Sequence, residues 1–149
     1  MRVLIDGDNC SKQQFIEKLA RERRIPVVIY CTIDHQLSSN YATIKMNDGG
    51  TNRTDNLIYQ DCQYNDIIIT NDIGLASLCL LKVDSVITNY GKLLTKTNID
   101  IELNMRNFIK SRIKKTKKYN IKQPKNTYNF GEAFIQAVIN SENIEKSAI

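Results

Sequence analysis

The chain has 149 residues, 42% of them hydrophobic and 25% charged, with a net charge of +5 and one histidine. That is the size and balance of one globular domain, and it excludes a multidomain machine or a low-hydrophobicity disordered tail. Apolar runs such as Ile67 to Ile69 and Leu78 to Leu81 fall far short of the roughly 18 residues a membrane span needs.

The first apolar run, Val3-Leu4-Ile5, ends in Asp6-Gly7-Asp8-Asn9, which predicts a buried strand and a turn. The acid at position 6 interrupts any leader-like apolar stretch, so no secretory signal is expected. Ser11 with Gln14 has the form of a capping box, and Phe15, Ile16, Leu19 and Ala20 recur at helical spacing up to Arg24. Ile25 to Thr32 is β-branched and apolar and predicts a second strand, with Pro26 near its start. Tyr41 to Met46 alternates as an exposed or edge strand does, and Asn-Asp-Gly-Gly then marks a loop. Residues 51–65 predict a helix with Asp55 in its first turn, where a carboxylate suits the helix dipole.

Asp66-Ile-Ile-Ile-Thr-Asn-Asp72 reads as a central strand covered on both faces. A helix over Leu75 to Leu81, a strand over Val83 to Thr88 and a turn at Asn89-Tyr-Gly91 follow. Strands alternating with helices dictate a mainly parallel sheet, so the expected fold is an α/β sandwich formed by a single domain over residues 1–149. The C-terminal extension is expected to be helical, with a basic helix over 98–118, a loop over Lys122 to Asn129 and a final helix over Phe130 to Ile139.

Residues 103–131 hold Arg106, Lys110, Arg112, Lys114, Lys115, Lys117, Lys118, Lys122 and Lys125 and no acid, which is nine of the 21 basic residues. Such a segment attracts phosphate polymers through counterion release, and Tyr119 and Tyr128 are placed to stack on bases. Nucleic acid, RNA first, is the expected partner, with a homodimer also admitted; the competing reading is a merely solvated basic stretch. Cys10, Cys31, Cys62 and Cys79 form no Cys-x-x-Cys pair, so free thiols, no zinc site and a cytoplasmic location are expected. The six glycines fit neither the dinucleotide fingerprint nor a Walker A loop.

In open parallel sheets, ligands bind beyond the carboxyl ends of the strands. Asp6, Asp8 and Asp72 fall at such ends, and Asp55 opens the helix that leads to the triple-isoleucine strand. Two carboxylates about 4 Å apart repel by roughly 4 kcal/mol at an effective dielectric near 20. A divalent cation offsets that repulsion, and hard oxygen ligands favour Mg²⁺ or Mn²⁺ over zinc. Asp6, Asp8 and Asp72 are therefore the expected metal ligands, and with Asp55 the expected catalytic residues of phosphodiester hydrolysis. Thr70 and Asn71 lie beside them, and Arg106 is a candidate phosphate clamp. Each acid also has an ordinary use: Asp6 and Asp8 in shaping a turn, Asp55 and Asp72 in starting helices. Cys10 is either a thiol activated near a helix N-terminus or a small packing residue. Asp66, at the opposite end of its strand, and His35, in a loop, are expected to be structural.

Asp6-x-Asp8-x-Cys10, Thr54-Asp55-Asn56-Leu57-Ile58, Asp66 to Ala76, Gly91-Lys92, Asn98-Ile99 and Leu103 to Arg106 together resemble the YaiI/YqxD family of uncharacterised bacterial proteins. The resemblance covers nearly the whole chain. It implies a PIN-like, Rossmann-like sandwich and an acidic, metal-dependent nuclease site at Asp6, Asp8, Asp55 and Asp72. One departure is Ser11, which stands where these proteins usually carry proline. Two rival readings remain. In one, Asp6-x-Asp8 serves a haloacid-dehalogenase-like phosphatase with Asp6 as nucleophile. In the other, the chain is a non-catalytic RNA-binding protein.

Overall fold

A computed structural model describes the backbone of residues 1–115 and 128–147. Six strands form one sheet in the order β3-β2-β1-β4-β5-β6. These are β1 (Val3–Asp6), β2 (Val27–Thr32), β3 (Thr43–Asn47), β4 (Ile67–Ile69), β5 (Ser85–Ile87) and β6 (Leu93–Leu94). The first five are parallel, and β6 runs antiparallel to β5. Five helices accompany them: α1 (Gln13–Glu22), α2 (Arg53–Asp61), α3 (Ile73–Cys79), α4 (Ile99–Lys115) and α5 (Phe130–Ser147). Among the described residues no helix is long and apolar enough to cross a membrane.

Strand residues alternate between the two faces of the sheet. Val3, Ile5, Ile67 and Ile69 join Ile16 and Ala20 of α1 and Phe130, Phe134 and Ala137 of α5 in one core. Leu4, Ile68 and Val86 face the other way, onto Ile58 of α2, Leu75, Ala76 and Cys79 of α3 and Ile99 of α4. The triple isoleucine is fully buried because both faces of β4 are covered, as its unbroken apolar run requires. The arrangement is a Rossmann-like three-layer sandwich, and its strand order reverses between β1 and β4.

Several sequence expectations shift. The Ser11–Gln14 capping box does not form: α1 starts at Gln13 behind Lys12, with no side-chain cap. Gln13 instead donates to the Ser38 carbonyl and to Glu17. β2 starts two residues late, because the Ile25 amide still bonds to the Ala20 carbonyl of α1. α2 is shorter than 51–65, entered through Asn52 at φ +53° and ended where Cys62 turns extended. β6 was not expected, and α5 runs eight residues past Ile139.

Asp66 is structural, as expected. Its buried carboxylate accepts from the Arg2 amide at 3.1 Å, Arg2 Nη2 at 2.7 Å and the Gln63 amide at 2.9 Å, pinning the entry to β4 beside β1. Tyr30 tethers α2 to the sheet by donating to Asp61 Oδ2 at 2.7 Å, an oxygen that Lys45 also reaches. All four cysteines are free thiols.

Candidate functional site

Polar side chains gather at the carboxyl ends of the strands. Asp6 ends β1 and is 1% exposed. Its Oδ2 accepts from Thr70 Oγ1 at 2.9 Å and from Asn9 Nδ2 at 3.4 Å. The Thr70 hydroxyl in turn accepts from the Asp72 amide at 3.0 Å, so its proton is committed to Asp6. Burial pushes the Asp6 carboxyl up; the bonds from Thr70 and Asn9 counter it, and the charges of Asp8 and Asp72 push the same way as burial.

Asp72 Oδ1 caps α3 by accepting from the Leu75 amide at 3.1 Å, which is the ordinary use open to it from sequence. It also stands near Asp55, which projects from the first turn of α2. Burial first, then the charges of Asp72 and Asp6, raise Asp55 to about 6 from 3.8. Asp6, Asp55 and Asp72 thus act on one another at the crevice between β1 and β4, where the strand order reverses.

Asp8 turns toward β2. Its Oδ1 accepts from the Thr32 amide at 2.9 Å and lies 2.8 Å from His35 Nδ1. Its Oδ2 accepts from Thr54 Oγ1 at 3.0 Å, and Thr54 accepts from Asn47 Nδ2 at 2.8 Å. This chain of bonds ties the ends of β2 and β3 and the start of α2 to the turn after β1. His35, expected to be an ordinary loop residue, orients Asp8. Thr32, Asn47 and Thr54 were missed, although each sits at a strand end or beside a singled-out acid.

Beside Asp72 opens a groove of 460 Å³ lined by Asn9, Asn71, Asp72, Ile73 and Arg106. A Cβ built on Gly74 would lie 3.2 Å from Asp72 Oδ1 and 3.4 Å from Arg106 Nη1, which places the guanidinium next to the cap of α3. Asn71 is exposed, and its Oδ1 accepts from the Asn89 amide at 2.8 Å. Cys10 is a packing residue: it lies against the core, and burial pushes its thiol up, the opposite of activation. Lys110 and Arg112 are exposed on α4, with Arg112 5.2 Å from the Phe108 ring centroid. Lys114 and Lys115 lie at the end of α4, but their side chains, like the whole of Lys117, Lys118, Lys122 and Lys125, fall outside the described residues.

Among the described residues, no three His, Cys, Asp or Glu side chains converge closely enough to hold a metal ion in this arrangement. The donor chemistry nonetheless suits a hard divalent cation: three carboxylates from three segments, one raised to about 6 by burial first and then by the charges of Asp72 and Asp6.

The pH dependence of stability follows from that crowding. An acid whose folded value exceeds its unfolded one imposes no penalty below the unfolded value, and the penalty grows as pH rises through the folded one. Asp55→Asn in EDTA is therefore expected to stabilise the protein by about 1–2 kcal/mol near pH 7 after solvent screening. Near pH 4 the gain should fade, and melting curves at the two pH values check it. Equal gains at both would exclude the charge explanation.

The model of the "Uncharacterized BCR, YaiI/YqxD family" matches residues 4–140, and the chain belongs to that family. A UPF0178 protein of Clostridium kluyveri is 37% identical over 116 residues, 78% of this chain and 76% of its own. UPF0178 proteins of Clostridium perfringens (36% over 100 residues, 67% of each chain) and Clostridium acetobutylicum (32% over 125 residues, 84% of each chain) are also similar. No solved structure matches the chain.

Proposed function

We propose that this protein is a cytoplasmic, Mg²⁺- or Mn²⁺-dependent nuclease that hydrolyses phosphodiester bonds, with RNA as the first candidate substrate. The observation that carries the reading is the crowding of Asp6, Asp55 and Asp72 at the β1/β4 crevice, beside a groove bordered by Arg106. The PIN-like site that the resemblance to the YaiI/YqxD family implies agrees with this reading.

In this reading Asp6, Asp55 and Asp72 would hold the cation, while Asp8 would add charge from the β2 side and fixes the turn that carries Asp6. When bound, such an ion would supply positive charge for the developing phosphate oxyanion and acidify the attacking water. Thr70 holds the Asp6 carboxylate in place. Arg106 grips the phosphate from across the groove, since a guanidinium matches two phosphate oxygens at once. The basic side chains further along α4 carry the rest of the backbone.

The phosphatase reading requires Asp8 as a general acid beside an Asp6 nucleophile. Both Asp8 oxygens instead accept hydrogen bonds, from Thr32 and Thr54, which hold the group toward β2 and away from Asp6. The test is incubation of purified protein with end-labelled single-stranded RNA and DNA in Mn²⁺, in Mg²⁺ and in EDTA. Cleavage that appears only with metal is the expected result. No cleavage of either strand, together with a melting curve that ignores both metals, would overturn the reading and leave a non-catalytic RNA-binding protein.

A further inference from the structure

The loop after β5 presents an aromatic surface that the acidic groove does not use. Thr88-Asn89-Tyr90-Gly91 closes as a turn, with the Gly91 amide bonded to the Thr88 carbonyl at 3.0 Å. Tyr90 is 37% exposed and Tyr128, just before α5, is 49% exposed. Their ring centroids lie 6.0 Å apart at an interplanar angle of 46°. The ammonium of Lys92 stands 5.6 Å from the Tyr128 centroid and is held there by Glu102 of α4. A cleft of 540 Å³ adjoins them, its wall including Tyr128, Lys92, Asn98, Asn129 and Gln136.

Two connections tie this surface to the groove. Asn89 donates its amide to Asn71 and its Nδ2 to the Asn9 carbonyl, and both Asn9 and Asn71 line the groove. On α4, Glu102 and the groove's Arg106 are four residues apart, one turn and about 6 Å along the axis. The loop also contains Asn89 Oδ1, the one buried side-chain acceptor without a hydrogen-bond partner among the described residues. Native structures seldom leave such an atom unmatched, and a donor brought by a ligand is one way to match it.

We propose that Tyr90 and Tyr128 form a stacking subsite for an unpaired nucleobase, next to the acidic groove, so that a single strand enters along α4 with one base on the tyrosines and its backbone toward Arg106. Aromatic rings accept any base face, cations over or beside them favour the adjoining phosphates, and a duplex cannot offer an unstacked base. The inference rests on the nucleic-acid part of the proposed function and not on catalysis. Loss of one stacking contact is worth about five- to 150-fold in affinity.

The test is fluorescence anisotropy in EDTA with the full chain and two end-labelled ten-nucleotide strands, oligouridylate and an abasic strand of equal charge. Wild type is expected to bind oligouridylate at least tenfold more tightly than the abasic strand. The double change Tyr90→Ala and Tyr128→Ala should remove that difference, and Tyr90→Phe with Tyr128→Phe should restore it. Equal binding of the two strands by wild type overturns the subsite without needing any variant, so a variant that folds poorly cannot obscure the answer. Base-dependent binding by a protein that cleaves nothing would sustain the subsite and sink the nuclease. Cleavage without base-dependent binding would do the reverse.

Discussion

Asp6→Asn is expected to reduce metal-dependent cleavage by about 10³-fold while raising the melting midpoint in EDTA. Both effects come from one buried carboxylate. Under the proposed function, removing a charge that would help hold the cation and orient water would forfeit several kcal/mol of transition-state stabilisation, and about 4 kcal/mol corresponds to that factor. Without metal, however, the Asp6 charge is a burden: it is 1% exposed, and burial and the neighbouring acids all disfavour its ionised form. Asparagine keeps an oxygen to accept the Thr70 proton and removes the charge. Metal should stabilise wild type, by about 2.7 kcal/mol at 100 times its Kd, and should leave the variant nearly unmoved. Melting curves with and without Mn²⁺, run beside the cleavage assay, read both predictions. A variant that melts lower in EDTA and still cleaves would show Asp6 to be a turn-forming residue only.

Gly91→Ala is expected to destabilise the fold by about 3–5 kcal/mol, lowering the midpoint by roughly 10 °C. Gly91 sits at φ +96°, where L side chains are strained. A Cβ there would also lie 2.6 Å from the Phe130 nitrogen, 2.8 Å from its Cα and 2.9 Å from the Asn129 carbonyl carbon. All three are backbone atoms, so no rotamer relieves the clash. Yielding would displace Phe130, which is 5% exposed and stacks on Phe134 at 6.4 Å in the core between the sheet and α5. A loss under about 1 kcal/mol would mean that the α5 junction moves freely. Gly7 makes a useful comparison. Its φ is not positive, and of the three atoms its Cβ would meet, Leu37 Cδ1 is the end of a side chain that can turn aside, although Ile29 Cγ2 and the Tyr30 carbonyl oxygen cannot. Gly7→Ala should therefore be the milder change.

The sheet was legible because its strands are short apolar runs ending in turn residues. Val3 to Ile5 and Ile67 to Ile69 need no tertiary information to be read as buried strands. The edge character of β3 was legible too, since Tyr41 to Met46 alternates polar with apolar, although the fold leaves Met46 exposed and buries Asn47. Helix ends were less so. α5 carries no glycine or proline between Gly131 and Ser147 to stop it, and the apolar periodicity that ends at Ile139 is a statement about packing, not about backbone. The Ser11 cap is a local signal and did not form: α1 starts at Gln13, whose side chain reaches a partner 25 residues away at Ser38. The same distinction governs the site. That acids stand at strand ends follows from local sequence; the direction each faces does not. Asp8 faces Thr32 and His35 at the end of β2 and Thr54 at the start of α2, two segments that only the folded sheet brings to the turn after β1.

The position of β1 governs the order in which the molecule can be built. It is the first of the six strands to be synthesised and lies at the middle of the sheet, between β2 and β4. Val3 pairs with Val27 on one side and with Ile67 on the other. The pairing with β2 closes early through a single helix, but the other edge of β1 stays open until β4 has been synthesised. Until then an apolar strand presents unpaired amides and carbonyls, the form of surface that pairs with other chains. Parallel contacts of this separation also fold slowly, because loop closure precedes the contacts that reward it. The hydrogen bonds from Arg2 to Asp66, at the threshold of the β1–β4 pairing, are thus also the clasp that ends this vulnerable interval.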